Sequence, residues 1–193
     1  MKKRPIETRK HIIDTARSLM TRKGFTSVGL AEVVAAAEVP KGSFYHYFKS
    51  KDEFGQALLE QYFADYLATV DSLLAGTAPA ADRLLSYFNY WAQTQCSDLP
   101  TDKCLVVKLG AEVSDLSEGM RTVLDNGTQA IHARLERCIE QGRTDGSITC
   151  NTPTPTLAQS LYQIWLGASL MVKIAKRPDA FGDALNMAKR LLS

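Results

Sequence analysis

Residues 24–53 are interrupted three times, so no long element can cross them. Gly24 stops a helical pattern carried by Ile12, Ile13, Ala16, Leu19 and Met20, at a position suited to a C-cap. Ser27 is placed to cap the next helix, whose apolar face is Leu30, Val33, Val34 and Ala37. Glu38-Val39-Pro40 breaks that helix, and a proline start predicts a short third helix from Pro40 to Tyr47. Ser50-Lys51-Asp52-Glu53 is a capping box, serine at the cap and glutamate three residues on, opening a long helix through about Leu74. The resulting order of helix, helix, tight turn, helix is that of a helix-turn-helix.

Charge divides at the same place. The formal net charge of +2 splits into +7 over residues 1–51 and −5 over the rest. A basic head on an acidic body suits a nucleic-acid reader with a separate regulatory part, because neutralising phosphates requires lysine and arginine gathered on one surface. A general DNA-compacting protein would need more basic surface than this body offers. The 193 residues, 45% hydrophobic and 23% charged, are ordinary for a soluble fold of one or two helical units. No apolar run approaches the roughly 18 residues that cross a bilayer, and the start lacks the apolar core of a signal peptide. A cytoplasmic protein with no membrane partner is expected.

The run Pro40-Lys41-Gly42-Ser43-Phe44-Tyr45-His46-Tyr47-Phe48-Lys49-Ser50-Lys51 joins cations, a glycine and aromatic rings in one short segment. As a recognition helix it would enter the major groove. Gly42 lets the backbone approach a phosphate, Lys41 offers a phosphate or base-edge contact, and Tyr45 and His46 face outward as hydrogen-bonding aromatics. Phe44 and Phe48, four residues apart, take the opposite face and the core.

With Ala36-Ala37-Glu38-Val39-Pro40 before it, this run resembles the helix-turn-helix signature of the TetR family of bacterial repressors. The resemblance implies phosphate contacts from Ser27, Tyr45 and Lys51, and base-edge or sugar contacts from Lys41, Gly42, Ser43 and His46. It implies a homodimer on palindromic double-stranded DNA. Many members carry glycine where Glu38 stands. The fold expected is all-α, with a three-helix DNA-binding domain over residues 1–50 and a helical ligand-sensing and dimerisation domain over 51–193, about nine helices in all.

In the body, helical pattern runs over about 80–96, 103–113, 117–141, 154–175 and 179–192, separated by Pro100, Gly142, Gly146, Pro153 and Pro178. Ser147–Thr152 has β character but only loop length. Residues 157–171 are apolar nearly all round, as a helix buried on two sides should be. The resemblance places the last two helices in a four-helix dimer interface, with Leu161, Trp165 and Ala168 expected there. Aromatic residues Tyr62, Phe63, Tyr66, Tyr87, Phe88, Tyr90, Trp91, Tyr162 and Trp165 are candidates for cavity walls or core.

The cysteines Cys96, Cys104, Cys138 and Cys150 have no C-x-x-C or metal-ligand spacing and should be thiols; no metal or cofactor is implied. Thr101 or Asp102 is placed to cap a helix with Cys104 in its first turn, where the helix dipole, Lys103 and Lys108 would lower the thiol pKa against Asp102. A half-buried, inert cysteine is the alternative. The segment from Cys104 to Arg121 and Trp165-Leu166-Gly167-Ala168 resemble TetR-family repressors that respond to electrophiles and oxidants. The resemblance implies a sensor at Cys104 with Lys173 as its partner. Acrylate-responsive members share part of the pattern, which leaves reversible induction by a small organic acid or apolar ligand as the rival. An enzyme using Cys104 with His132 as base finds no other support: no nucleotide loop, nucleophile elbow or oriented third partner is readable.

Overall fold

The computed structural model describes the chain from Pro5, and side chains from Glu7; the basic residues Lys2, Lys3 and Arg4 lie outside the described residues. Nine α-helices and one 3-10 turn make up the described residues, with no strand. They are α1 (Pro5–Lys23), α2 (Leu30–Ala36), α3 (Lys41–Tyr47), α4 (Lys51–Leu74), α5 (Ala80–Cys96), the 3-10 turn Pro100–Asp102, α6 (Leu105–Leu116), α7 (Glu118–Thr144), α8 (Thr154–Ala175) and α9 (Asp179–Leu192). Residues 147–152 form a loop, as expected.

The chain packs as two compact units. The first comprises residues 1–64 and 98–127, the second 65–97 and 128–193. In the first unit Ile12, Ile13, Ala16 and Met20 form the buried stripe of α1. Phe44, Phe48 and Phe54 close a triangle of rings with centroids 4.9–5.1 Å apart, anchoring α3 from beneath. Gly55 lets α4 come close to its neighbours, since a Cβ there would lie 2.4 Å from Met120 Sδ and 2.7 Å from Phe25. Half of the expected capping box forms: Glu53 N–H donates to Ser50 Oγ (3.0 Å), while Glu53 Oε2 accepts from the N–H of Lys49 (3.0 Å), one residue before the cap.

One local expectation is corrected. Ser27 does not cap α2; Gly29 does, without a side-chain bond, and its carbonyl accepts from Glu32 and Val33. Val28 is fully buried, so the chain dips into the core before the helix can begin. At the other end, α2 closes in a Schellman turn: Glu38 N–H donates to Ala35 O and Val39 N–H to Val34 O, both at 3.1 Å. Glu38 is thereby held at φ 52°, the left-handed region that favours glycine.

The second unit is built on stacked rings. Trp165 lies between Phe88 (4.8 Å, 7°) and Phe181 (5.6 Å, 17°), and Trp91 Nε1 donates to Ser169 Oγ (2.9 Å). Asp145 and Ser147 supply the missing cap of α5, accepting from Ala80 N–H (2.9 Å) and Ala81 N–H (3.1 Å). The expected interface residues Leu161 and Trp165 are 0% exposed within a single chain. They pack in the core of the second unit, and Ala168 is 8% exposed. The outer face of α8 instead presents Leu170, Met171 (52% exposed) and Ile174 (66%), and Ala168 borders an apolar groove with Ile164, Ala184, Met187 and Leu191.

Candidate operator-binding surface and sensor thiol

Helix α3 offers a short, rigidly anchored face. With Phe44 and Phe48 turned into the core, Lys41, Gly42, Tyr45 and His46 are exposed, Tyr45 at 51%, and Ser43 is half-buried. Open space surrounds the Gly42 Cα, as close backbone approach requires. The Lys41 ammonium lies 5.9 Å from the Tyr45 ring centroid, so the two outward groups support one another. Arg9 sits 5.3 Å over the Phe48 ring. Ser27, although not a cap, is exposed two residues before the α2 N-cap. The structure thus brings Lys41, Gly42, Tyr45 and His46 together on one outward face of a single helix.

Lys51 lies at the first position of α4 and turns toward the α1–α2 turn. Its ammonium donates to Thr26 O (3.2 Å) and stands 4.8 Å from the Phe25 ring centroid. Burial lowers its pKa, opposed by the charge of Glu112. Glu112, which sequence reasoning did not single out, accepts from Phe25 N–H (3.0 Å) and Thr26 N–H (2.7 Å) through its two carboxylate oxygens. Burial pushes this carboxyl up, but the hydrogen bonds from Thr26 and Phe25 and the Lys51 charge prevail and hold it below the usual range. An acid three residues from Leu109 and beside Val113, both buried, is the sequence signal that marks it.

Cys104 is not in the first turn of α6 but is its N-cap residue, because Pro100–Asp102 form a 3-10 turn and Lys103 is extended. Its side chain is 5% exposed. Burial raises the thiol pKa, opposed by the Tyr62 hydroxyl and by the N–H groups of Val107 and Val106. The expected lowering is therefore corrected: loss of solvent outweighs the helix terminus. The Tyr62 hydroxyl donates to Cys104 Sγ at 3.5 Å. Arg17 lies 5.1 Å over the Tyr62 ring and donates to Thr101 O (2.8 Å), tying α1 to the residues just before the thiol. Lys173 is exposed in the last turn of α8, in the second unit.

Cys138 is buried beside Ala80 O (3.6 Å) with its pKa raised by burial, Cys96 is exposed and Cys150 half-buried. His132 packs its ring against Tyr162 at 4.9 Å, and burial lowers its pKa. Among the described residues no cluster of three or more His, Cys, Asp or Glu residues could hold a metal ion, and no helix is long and apolar enough to cross a membrane.

These features match two family models: the one described as bacterial regulatory proteins, tetR family, over residues 12–58, and the tetracyclin repressor-like C-terminal domain over residues 80–188. The chain belongs to the TetR family. The HTH-type transcriptional repressor NemR of Escherichia coli K12 is 41% identical over 189 residues, covering 97% of this chain and 94% of NemR. The HTH-type transcriptional repressor DhaR of a Mycobacterium species is 32% identical over 180 residues, 93% and 89% of the two chains. The crystal structure of reduced E. coli NemR superposes with a TM-score of 0.92 at 41% identity, covering 97% of each chain. The protein is a TetR-family transcriptional repressor closely related to NemR, and TetR regulators bind operator DNA and act as dimers.

Proposed function

We propose that this repressor binds a palindromic operator as a homodimer and releases it when a reactive electrophile or oxidant modifies Cys104. In this reading residues 1–50 read DNA and 51–193 sense and dimerise. Ser27, Tyr45 and Lys51 hold phosphates; Lys41, Gly42, Ser43 and His46 face bases and sugars. The observation that carries the sensing role is the place of Cys104: it is the N-cap of α6, the helix that also holds the α1–α2 turn through Glu112. Likeness to NemR, solved in a form described as reduced, supports a redox-responsive state.

With a maleimide or quinone, the Cys104 thiolate adds to the β-carbon, and the proton removed from sulfur ends on the α-carbon or on oxygen. The adduct is far larger than the space left by a 5% exposed side chain. It must therefore displace Tyr62 or the start of α6. The resemblance to electrophile-responsive members further implies Lys173 as the partner of Cys104.

Operator binding by the wild type and Cys104→Ser at fixed salt, before and after N-ethylmaleimide, tests the reading. Release of the wild type alone is the expected result; continued binding by both would refute it. In that case reversible binding of a small organic acid or apolar ligand in the helical body becomes the better account.

A further inference from the structure

Backbone N–H groups in a turn must find acceptors, and the two that follow α1 do so outside their own segment. Phe25 and Thr26 both donate to Glu112, one to each carboxylate oxygen. Gly24, at φ 91°, shapes the turn around that carboxylate: a Cβ there would lie 3.1 Å from Glu112 Oε2. Lys51 closes the other side by donating to Thr26 O. Glu112 of α6 thus bonds the α1–α2 turn directly, and Lys51 of α4 holds the same turn from its other side, all within one packing unit.

We propose that Glu112 is the positioning residue that fixes the α1–α2 turn, and with it Ser27 and the start of α2, in the operator-competent arrangement, and that displacement of α6 acts on DNA binding through this bond pair. Thr26 directly precedes Ser27, so holding its N–H and its carbonyl sets where the next residues emerge. At the far end of the lever, Cys104 lies eight positions before Glu112. At the rise of an α-helix this is about 12 Å of rigid rod. A shift of α6 along or across its axis at the N-cap carries the carboxylate with it, and two charge-assisted bonds of definite direction tolerate little movement. The coupling step rests on the sensing role proposed for Cys104; the positioning step does not.

Glu112→Gln keeps the shape but leaves one acceptor oxygen and turns an NH2 toward a backbone donor. The expected result is a dimer with unchanged circular dichroism whose operator affinity falls about tenfold or more. Amide hydrogen exchange should accelerate in residues 24–29 while staying at wild-type rates in α5, α8 and α9. Glu112→Asp, one methylene shorter, should lie between the two, and it serves as the test if Glu112→Gln does not fold. A brace with only a structural role would lower the melting temperature and leave the affinity of the folded molecules intact; that outcome, or wild-type exchange at residues 24–29, overturns the proposal.

N-ethylmaleimide separates the two ideas. Complete alkylation of Cys104 in the wild type should loosen residues 24–29 and weaken operator binding together. In Glu112→Gln the same alkylation should change affinity much less. If the alkylated wild type keeps its operator, the Cys104 reading fails, while Glu112 is still judged on the unmodified proteins.

Discussion

Replacing Glu38 by glycine should stabilise the protein although it removes a side chain. Glu38 occupies φ 52° because the Schellman turn that ends α2 requires a left-handed residue there. A residue with a Cβ gives up roughly 1–2 kcal/mol in that conformation. Glycine relieves this but adds roughly 0.5–1 kcal/mol of unfolded-chain entropy. Since the Glu38 side chain is exposed, little packing is lost, and the net gain is about 0.5–1 kcal/mol. For a chain of this size that raises the melting temperature by about 1–4 °C. Thermal unfolding followed at 222 nm is the assay, with Glu38→Gln as the control that removes the charge and keeps the Cβ. Glu38→Val, branched at Cβ, should melt below the wild type. An unchanged or lowered melting temperature for Glu38→Gly would refute the argument that the left-handed backbone, not the glutamate itself, governs this position.

Burial of Cys104 sets how its chemistry depends on pH. With the thiol pKa raised, the thiolate fraction below that pKa grows tenfold per pH unit, so alkylation measured by mass spectrometry of the Cys104 peptide should keep accelerating through the ordinary thiol range, and a plateau near neutrality would contradict it. Tyr62→Phe, which removes the hydrogen bond favouring the thiolate, should slow that reaction roughly fivefold, equivalent to about 1 kcal/mol. Asp145 has its pKa held down by Ser147 and by the Ala80 N–H it caps, so its contribution is full above the ordinary aspartate range and is lost as pH falls through the lower folded value. Asp145→Ala should therefore melt below the wild type at pH 7, with the gap closing in strong acid. On α8, Ile174→Glu should yield folded monomers by light scattering, whereas Trp165→Ala should lose about 3–5 kcal/mol of stability instead.

Features fixed by neighbours in the chain were legible before the structure. The glycine after α1, the break before Pro40 and the Ser50 cap on Glu53 N–H are short-range, and the helices followed from them. The outward face of α3 followed as well, because Phe44 and Phe48 could take only one side. What escaped depended on distant packing. Ser27 has the right chemistry for a cap, but burial of Val28 delays the helix. Cys104 stands beside a helix start, yet Tyr62, 42 residues away, and the surrounding core decide its acidity. A helix apolar on all sides does not declare which side packs within the chain, and Leu161 and Trp165 lie on that side. Periodicity places Glu112 near buried Leu109 and Val113 but does not reveal its partners, 86 and 87 positions away.

The sandwich of Trp165 between Phe88 and Phe181 has an optical consequence. Both tryptophans of the chain, Trp91 and Trp165, belong to the second packing unit, and both are buried among aromatic rings. Intrinsic tryptophan emission is therefore a local reporter of that unit, and it is blind to melting of the operator-reading helices. Following emission and helical ellipticity through one denaturant titration would separate the stabilities of the two units without any label.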